Sequence, residues 1–158
     1  MLSRMVEGIR LLGQCPDETR ARILATGEGF ASRLMVDVLQ ARGYDALWSD
    51  TDVLPPANED WLDSLVDVEA ATPLIKARLD EQDSQVVVLP GFYGRNAQNK
   101  IQLRGRNGTD YTAACRAAAS GAGLCQIWKD VDGFFTADPR IVKNARCLDE
   151  VSYEEAME

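Results

Sequence analysis

Apolar residues Leu2, Met5, Val6, Ile9 and Leu12 return every three or four positions, the rhythm of one face of an amphipathic helix over 1–12. Pro16-Asp17-Glu18-Thr19 breaks that rhythm and opens a short helical turn. The run from Arg22 to Thr26 then reads as a short buried strand ending on Gly27-Glu28. From there Phe30, Leu34, Met35, Val38 and Leu39 mark one face of a second helix, which Gly43 closes. Asp45 to Trp48 is the next strand, and Ser49 to Pro56, with Asp50, Asp52 and two prolines, is loop. Glu69 to Leu79 is a helix with Pro73 in or near its first turn, where a missing N–H does least harm. The unbroken apolar run Gln85 to Pro90 has the composition of a strand covered on both faces of a parallel sheet. A polar loop, Tyr93 to Lys100, follows, then a short segment at Ile101 to Leu103, the helix Tyr111 to Ser120, and a strand at Leu124 to Trp128. Strands alternating with helices predict an α/β domain with a largely parallel sheet and helices on both faces.

Ligands bind beyond the carboxyl ends of the strands in such sheets. Four segments fall at predicted strand ends: Gly27-Glu28, Gly91-Phe92, Gly105 to Asp110, and Lys129-Asp130 with the loop on to Arg140. Gly105-Arg106-Asn107-Gly108-Thr109-Asp110 opens a helix, so free N–H groups and the positive dipole end meet at a glycine-lined turn suited to phosphate or carboxylate. Ala113, Ala114, Ala117, Ala118 and Ala119 let that helix lie close to the sheet. An ordinary turn with Thr109 or Asp110 as N-cap accounts for the spacing equally well. Arg106 and Asp110 together suit a zwitterion, one taking its carboxylate and the other its ammonium. Glu28 suits the start of a helix for dipole reasons alone, and Lys129-Asp130-Val131-Asp132-Gly133 also reads as a plain acidic turn. The sequence contains no complete calcium loop, no phosphate-binding Walker motif and no G-x-G-x-x-G fingerprint.

Composition narrows the chemistry. With 25 acidic against 17 basic residues the formal charge is −8, and no basic block stands out, which argues against nucleic acid and anionic membranes as partners. Histidine is absent, so His-based nucleophile systems, zinc sites and general bases are excluded. The four cysteines show no C-x-x-C pattern and read as reduced packing thiols. No long apolar stretch or cleavage site follows the first helix, so a cytoplasmic, globular protein is expected.

Gly27-Glu28, Leu89-Pro-Gly-Phe92, Gly105-Arg-Asn-Gly-Thr-Asp-Tyr-Thr-Ala-Ala114, Ile127-Trp-Lys-Asp-Val-Asp-Gly133, Thr136-Ala-Asp-Pro-Arg140 and Val151-Ser-Tyr-Glu-Glu-Ala-Met157 stand in the order seen in aspartokinases. Residues 1–158 thus resemble part of an aspartate kinase catalytic domain. Gly8 to Asp17 and the Arg-Asn-Gly loop most resemble the bifunctional aspartokinase–homoserine dehydrogenases. The resemblance implies a three-layer α/β/α sandwich with a mainly parallel sheet, the amino-acid-kinase or carbamate-kinase-like fold. It implies transfer of the γ-phosphoryl of ATP, with Mg²⁺, to the side chain of L-aspartate, the first step toward Lys, Thr and Met. Carried over by position, Arg106 and Asp110 are the catalytic residues and, with Glu28 and Phe92, hold aspartate. Gly108 and Thr109 lie by the reacting phosphate, and Lys129, Asp130, Phe135 and Arg140 fall where the family contacts ATP. No protein metal ligand is implied. The partners implied are L-aspartate and ATP, together with a second copy or another kinase subunit.

The departures carry information too. The family's opening strand, ending Lys-Phe-Gly-Gly, has no counterpart here, nor do its C-terminal ACT domains, so a partial domain with an exposed strand edge or apolar patch is expected. Lys129 stands where Thr is usual, Phe135 for Tyr, Arg104 for Leu, and Ala31 for Ser. These changes favour, as an alternative, a degenerate module that binds nucleotide or amino acid without turnover. A third reading is an acyl-phosphate kinase of the same fold acting on glutamate or carbamate.

Overall fold

The computed structural model describes residues 2–51 and 54–157. Asp52, read as part of a loop, and Met1, read as the start of the first helix, lie outside them. The chain forms two compact units, Met1–Cys125 and Gln126–Glu158. No described helix is long and apolar enough to cross a membrane.

In the first unit, helix α1 (Leu2–Leu12) follows the predicted apolar rhythm, yet Leu2, Val6, Leu11 and Leu12 are exposed. Helix α2 runs unbroken from Asp17 to Ala41, with Pro16 at its N-cap. The predicted strand at Arg22–Thr26 is therefore the interior of a helix, and Gly27-Glu28 lies neither at a strand end nor at a helix start. The reason is the buried stripe Ala21, Ala25, Ser32 and Val36, small residues at helical spacing that let the backbone approach its neighbours. Thr26 donates its hydroxyl to the Arg22 carbonyl, a bond inside a single helical turn (3.0 Å). The face marked by Phe30, Leu34, Met35 and Val38 is helical as expected but points outward, those side chains being 71, 52, 51 and 41% exposed. The helix closes at Arg42, before Gly43 at φ 88°.

Strands β1 (Ala46–Trp48) and β2 (Val86–Val88) pair in parallel, Leu47 opposite Val87, with helix α3 (Val68–Asp80) in the crossover that a parallel connection needs. This is the α/β order expected. The valines of β2 are each half-buried rather than covered on both faces. Asp67 caps α3, accepting from the Ala70 amide at 2.9 Å, so the helix begins early and Pro73 falls beyond its first turn. Tyr93 to Lys100 is not all loop: β3 (Tyr93–Arg95) and β4 (Ile101–Leu103) form an antiparallel hairpin, Gly94 opposite Gln102. Its turn is built by Asn96, whose side-chain oxygen accepts from the amides of Gln98 and Lys100. Helix α4 spans Gly108–Ser120.

Two clusters make the core of this unit. Leu54, Val66, Ala71, Ile75, Cys115 and Ala119 join α3 to α4. Ala21, Ala25, Tyr93 and Leu103 seat α2 on the hairpin. None of the four cysteines is disulfide-bonded; Cys115 is buried, Cys15 half-buried, and Cys125 and Cys147 exposed. The predicted strand at Leu124–Trp128 does not form among the described residues: apolar composition makes a strand only where a neighbouring edge pairs with it, and Leu124 and Trp128 are exposed.

The second unit contains a bridge between Phe135 and Cys147 and the short helix α5 (Tyr153–Met157). Ser152 and Glu155 cap α5 reciprocally: the Glu155 amide donates to the Ser152 hydroxyl and the Ser152 amide to the Glu155 carboxylate.

Candidate functional site

Three separated stretches of the first unit meet at one cleft. Glu28, half-buried on α2, accepts a hydrogen bond from the Gly91 amide at 2.9 Å, fastening that helix to the segment that follows β2. Gly91 in turn lies on the first turn of α4, where an added Cβ would stand 2.7 Å from Thr109 Cγ2 and 3.1 Å from its Cα. The approach is possible only because residue 91 has no side chain. The cleft, of about 370 Å³, is lined by Glu28, Val88, Gly91, Thr109, Thr112 and Arg116, among others.

The turn into α4 is built from strained, close-packed backbone. Phe92 has a φ of 49° and Asn107 one of 57°, left-handed values that cost a residue with a Cβ. Gly108 is wedged so that a Cβ there would meet Arg104 Cβ and Phe92 Cβ, each at 3.0 Å. Asn107, not Thr109 or Asp110, occupies the N-cap position, and no side chain caps the helix. The helix starts earlier than its alanines suggest because Asn tolerates the left-handed conformation there. Its first amides therefore point out uncapped at the dipole's positive end, an arrangement suited to an anion. Arg106 is exposed on this turn and Asp110 is half-buried in the first turn of α4, so the two bracket those amides.

Near Glu28 the electrostatics are set by burial together with paired charges. The Tyr93 phenol is pushed up to about 12, first by burial and then by the negative charge of Asp50, with Glu28 adding to it and Arg95 and Arg33 opposing. Burial would raise the Asp50 carboxyl, but bonds from the Thr51 amide and the Arg95 guanidinium outweigh it and hold the group below the usual carboxylate range. Arg95 reaches Asp50 Oδ2 through Nε at 3.1 Å and Nη2 at 2.9 Å.

Of the residues singled out in the sequence, Glu28, Gly91 and Thr109 line this cleft, and Phe92, Arg106, Gly108 and Asp110 belong to the turns that frame it. Lys129, Asp130, Phe135 and Arg140 all fall in the second unit. There Lys129 and Asp130 are exposed and follow no strand. Arg140 is engaged by Asp138, with Nη2 to Oδ2 at 2.8 Å and Nε to Oδ1 at 3.1 Å. That pairing and the Arg140 amide hold the Asp138 carboxyl low. Sequence reasoning missed Thr112 and Arg116, although steps of three and seven from Thr109 put them on one helix face. Among the described residues no group of three or more Cys, Asp or Glu is placed to hold a metal ion.

Comparison with known proteins points the same way. The profile of the amino acid kinase family matches residues 6–158. The bifunctional aspartokinase/homoserine dehydrogenase of Buchnera aphidicola subsp. Acyrthosiphon pisum is 40% identical over 158 residues, covering 99% of this chain and 19% of that protein. The aspartokinase of Schizosaccharomyces pombe is 34% identical, covering 99% of this chain and 30% of its own length. Among solved structures, Escherichia coli aspartokinase III in complex with aspartate and ADP superposes with a TM-score of 0.79 at 30% identity, covering 98% of this chain and 36% of that one. The chain thus spans between 19 and 36% of the lengths of these relatives.

Proposed function

The chain belongs to the amino acid kinase family, and from that membership we propose that it carries the acceptor site of an aspartate kinase. The observation that carries this reading is the Glu28–Gly91 hydrogen bond, which gathers α2, the segment after β2 and the first turn of α4 around one cleft. The likeness to a kinase solved with aspartate and ADP supports it.

In the reaction proposed, a side-chain carboxylate oxygen of L-aspartate attacks the γ-phosphorus of ATP. The new O–P bond forms as the bond to the β-phosphate oxygen breaks, giving 4-phospho-L-aspartate and ADP. The acceptor is already ionised at neutral pH, so no general base is needed and a chain without histidine suffices. What remains is alignment and charge neutralisation, the usual sources of catalysis in phosphoryl transfer. Arg106 pairs with the α-carboxylate, Glu28 and Asp110 with the ammonium, and Phe92 walls the site. The amides of Gly108 and Thr109 face the transferring phosphoryl group. Lys129, Asp130, Phe135 and Arg140 of the second unit contact the nucleotide. Mg²⁺ would be carried by the nucleotide rather than by a protein cage and would supply neutralisation of phosphate charge.

Thermal unfolding with and without L-aspartate and Mg-ADP tests the reading. A ligand at a hundred times its Kd stabilises by about 2.7 kcal/mol, a rise of roughly 5–10 °C for a chain this size. The rise with aspartate is expected to vanish in Arg106→Ala, and the rise with Mg-ADP in Asp130→Ala. A larger response to L-glutamate would move the substrate, and no response to any amino acid would remove the acceptor site. Binding of both ligands without phosphoryl transfer would favour the non-catalytic alternative, to which the departures at Lys129 and Phe135 already lend weight.

A further inference from the structure

Arg104 is the least expected residue of this unit. It is 3% exposed, and among the described residues no carboxylate bridges to it. Burial alone pulls its guanidinium below the ordinary value. A buried cation without a counter-charge is costly, and an apolar side chain of similar size fills such a position without that cost. What the guanidinium adds is reach. Nη1 donates to Ser64 Oγ at 2.7 Å and to the Leu65 carbonyl at 2.9 Å, and Nη2 donates to the Leu54 carbonyl at 2.6 Å. Leu54 and the Ser64-Leu65 pair, whose neighbours the Pro56–Val66 bridge already joins, are fastened further by this one side chain.

The same residue also supports the turns that frame the cleft. Its amide donates to the Phe92 carbonyl at 2.8 Å, which fixes the left-handed residue after Gly91. Its Cβ lies 3.0 Å from where a Cβ on Gly108 would stand, so the first residue of α4 is seated on it. The amides of Leu103 and Gly105 on either side bond to the carbonyls of Trp61 and Leu62, locking the strand end into the same loop. Gly105, at φ 66°, then turns the chain toward Arg106. Several of the contacts that set the direction of the Arg106–Asp110 turn meet at residue 104.

We propose that Arg104 is a positioning residue for the acceptor site: by clamping the 54–65 loop to the end of β4 it holds Phe92 and the Arg106–Asp110 turn in the geometry that binds the amino-acid substrate. This inference rests on the acceptor-site reading above. Arg104 itself touches neither substrate nor nucleotide; it acts through Phe92, Arg106 and Gly108.

The test compares two ligands and a local probe on the whole 158-residue chain. By calorimetry, Arg104→Leu is expected to weaken L-aspartate about tenfold or more while leaving Mg-ADP affinity unchanged, since small misplacements of a binding group carry costs of that order. Arg104→Lys, which keeps a charge and part of the bonding, is expected to fall between. Hydrogen exchange of the bonded amides of Leu103, Gly105 and Tyr111 is expected to quicken about tenfold in Arg104→Leu with α2 unaffected, a local opening rather than global loss. Should Arg104→Leu not fold, Ser64→Ala and Arg104→Lys carry the same comparison. Unchanged aspartate affinity in a folded variant, or equal loss for both ligands, overturns the proposal. If the unmutated chain binds no aspartate, the acceptor-site reading fails, and the exchange data alone decide: selective quickening at Leu103, Gly105 and Tyr111 keeps Arg104 as the clamp of that turn, and its absence overturns the clamp as well.

Discussion

Tyr93 shows how one buried residue sets a pH limit for the fold. It is 4% exposed, in the core with Ala21, Ala25 and Leu103, and its hydroxyl faces Gly29 on α2, where an added Cβ would stand 3.3 Å away. Its phenol titrates at about 12, against an ordinary value near 10 for an unfolded chain. Because the folded value is the higher, the neutral phenol's contribution is complete below pH 10 and is lost as pH rises from 10 toward 12. A shift of that size corresponds to at most about 2–3 kcal/mol. Urea midpoints are therefore expected to fall between pH 9 and pH 11 in the unmutated chain. In Tyr93→Phe, which keeps the ring and removes the proton, that part of the fall should be missing. Equal falls in both would mean that Tyr93 does not stay buried and neutral, and that α2 is not seated on the hairpin as described. Glu28 depends on that seating, since its bond to Gly91 exists only if α2 lies across the end of β2.

At the scale of elements the same substitution should have opposite signs at two glycines. Gly27 is exposed inside α2 with nothing within 4 Å of an added Cβ, so Gly27→Ala is expected to stabilise by about 0.5–1 kcal/mol through helix propensity. Gly91 lies on Thr109, so Gly91→Ala is expected to destabilise by about 1–3 kcal/mol by forcing the segment after β2 off α4. Denaturant titration of the two variants measures both, and a destabilising Gly27→Ala would revive the strand that the sequence suggests at Arg22–Thr26. That strand is instructive. A hydrophobicity pattern finds large residues, and it found α1, β1, β2 and most of α4. The residues that seat α2 are Ala21, Ala25 and Ser32, whose smallness is the signal and whose weight in an apolar count is slight. The hairpin was hidden for a related reason: Arg95 and Gly94 look like loop, and only the partner strand at Ile101–Leu103 makes them β. Motif order brought Glu28, Gly91 and Thr109 to the cleft and Arg106, Gly108 and Asp110 to the turn beside it, because order along the chain survives even when the element is misread. Thr112 and Arg116, which also line the cleft, were not legible, since their positions follow from packing alone.

For the whole molecule, charge and exposed apolar surface pull in opposite directions. The net charge of −8 keeps copies apart at low ionic strength. Against it, Phe30, Leu34 and Val38 lie at successive helical repeats on α2 with Met35 beside them, forming one exposed stripe rather than scattered single residues. Contiguous apolar area of this kind drives association, while isolated exposed residues do not. Repulsion between like charges weakens as the Debye length shrinks from roughly 10 Å at 0.1 M salt to 3 Å at 1 M, whereas apolar burial is not screened. Sedimentation velocity is therefore expected to report an average mass that rises with protein concentration, and more steeply at high salt than at low. Leu34→Lys, which puts a charge in the middle of the stripe without touching the buried Ala21–Val36 face, should abolish most of that rise while leaving the unfolding midpoint nearly unchanged. If the variant associates as strongly as the unmutated chain, the stripe is not the sticky surface. If association instead weakens with salt, charge pairing rather than apolar burial joins the copies, and the acidic surface would have to find its complement on the chain itself.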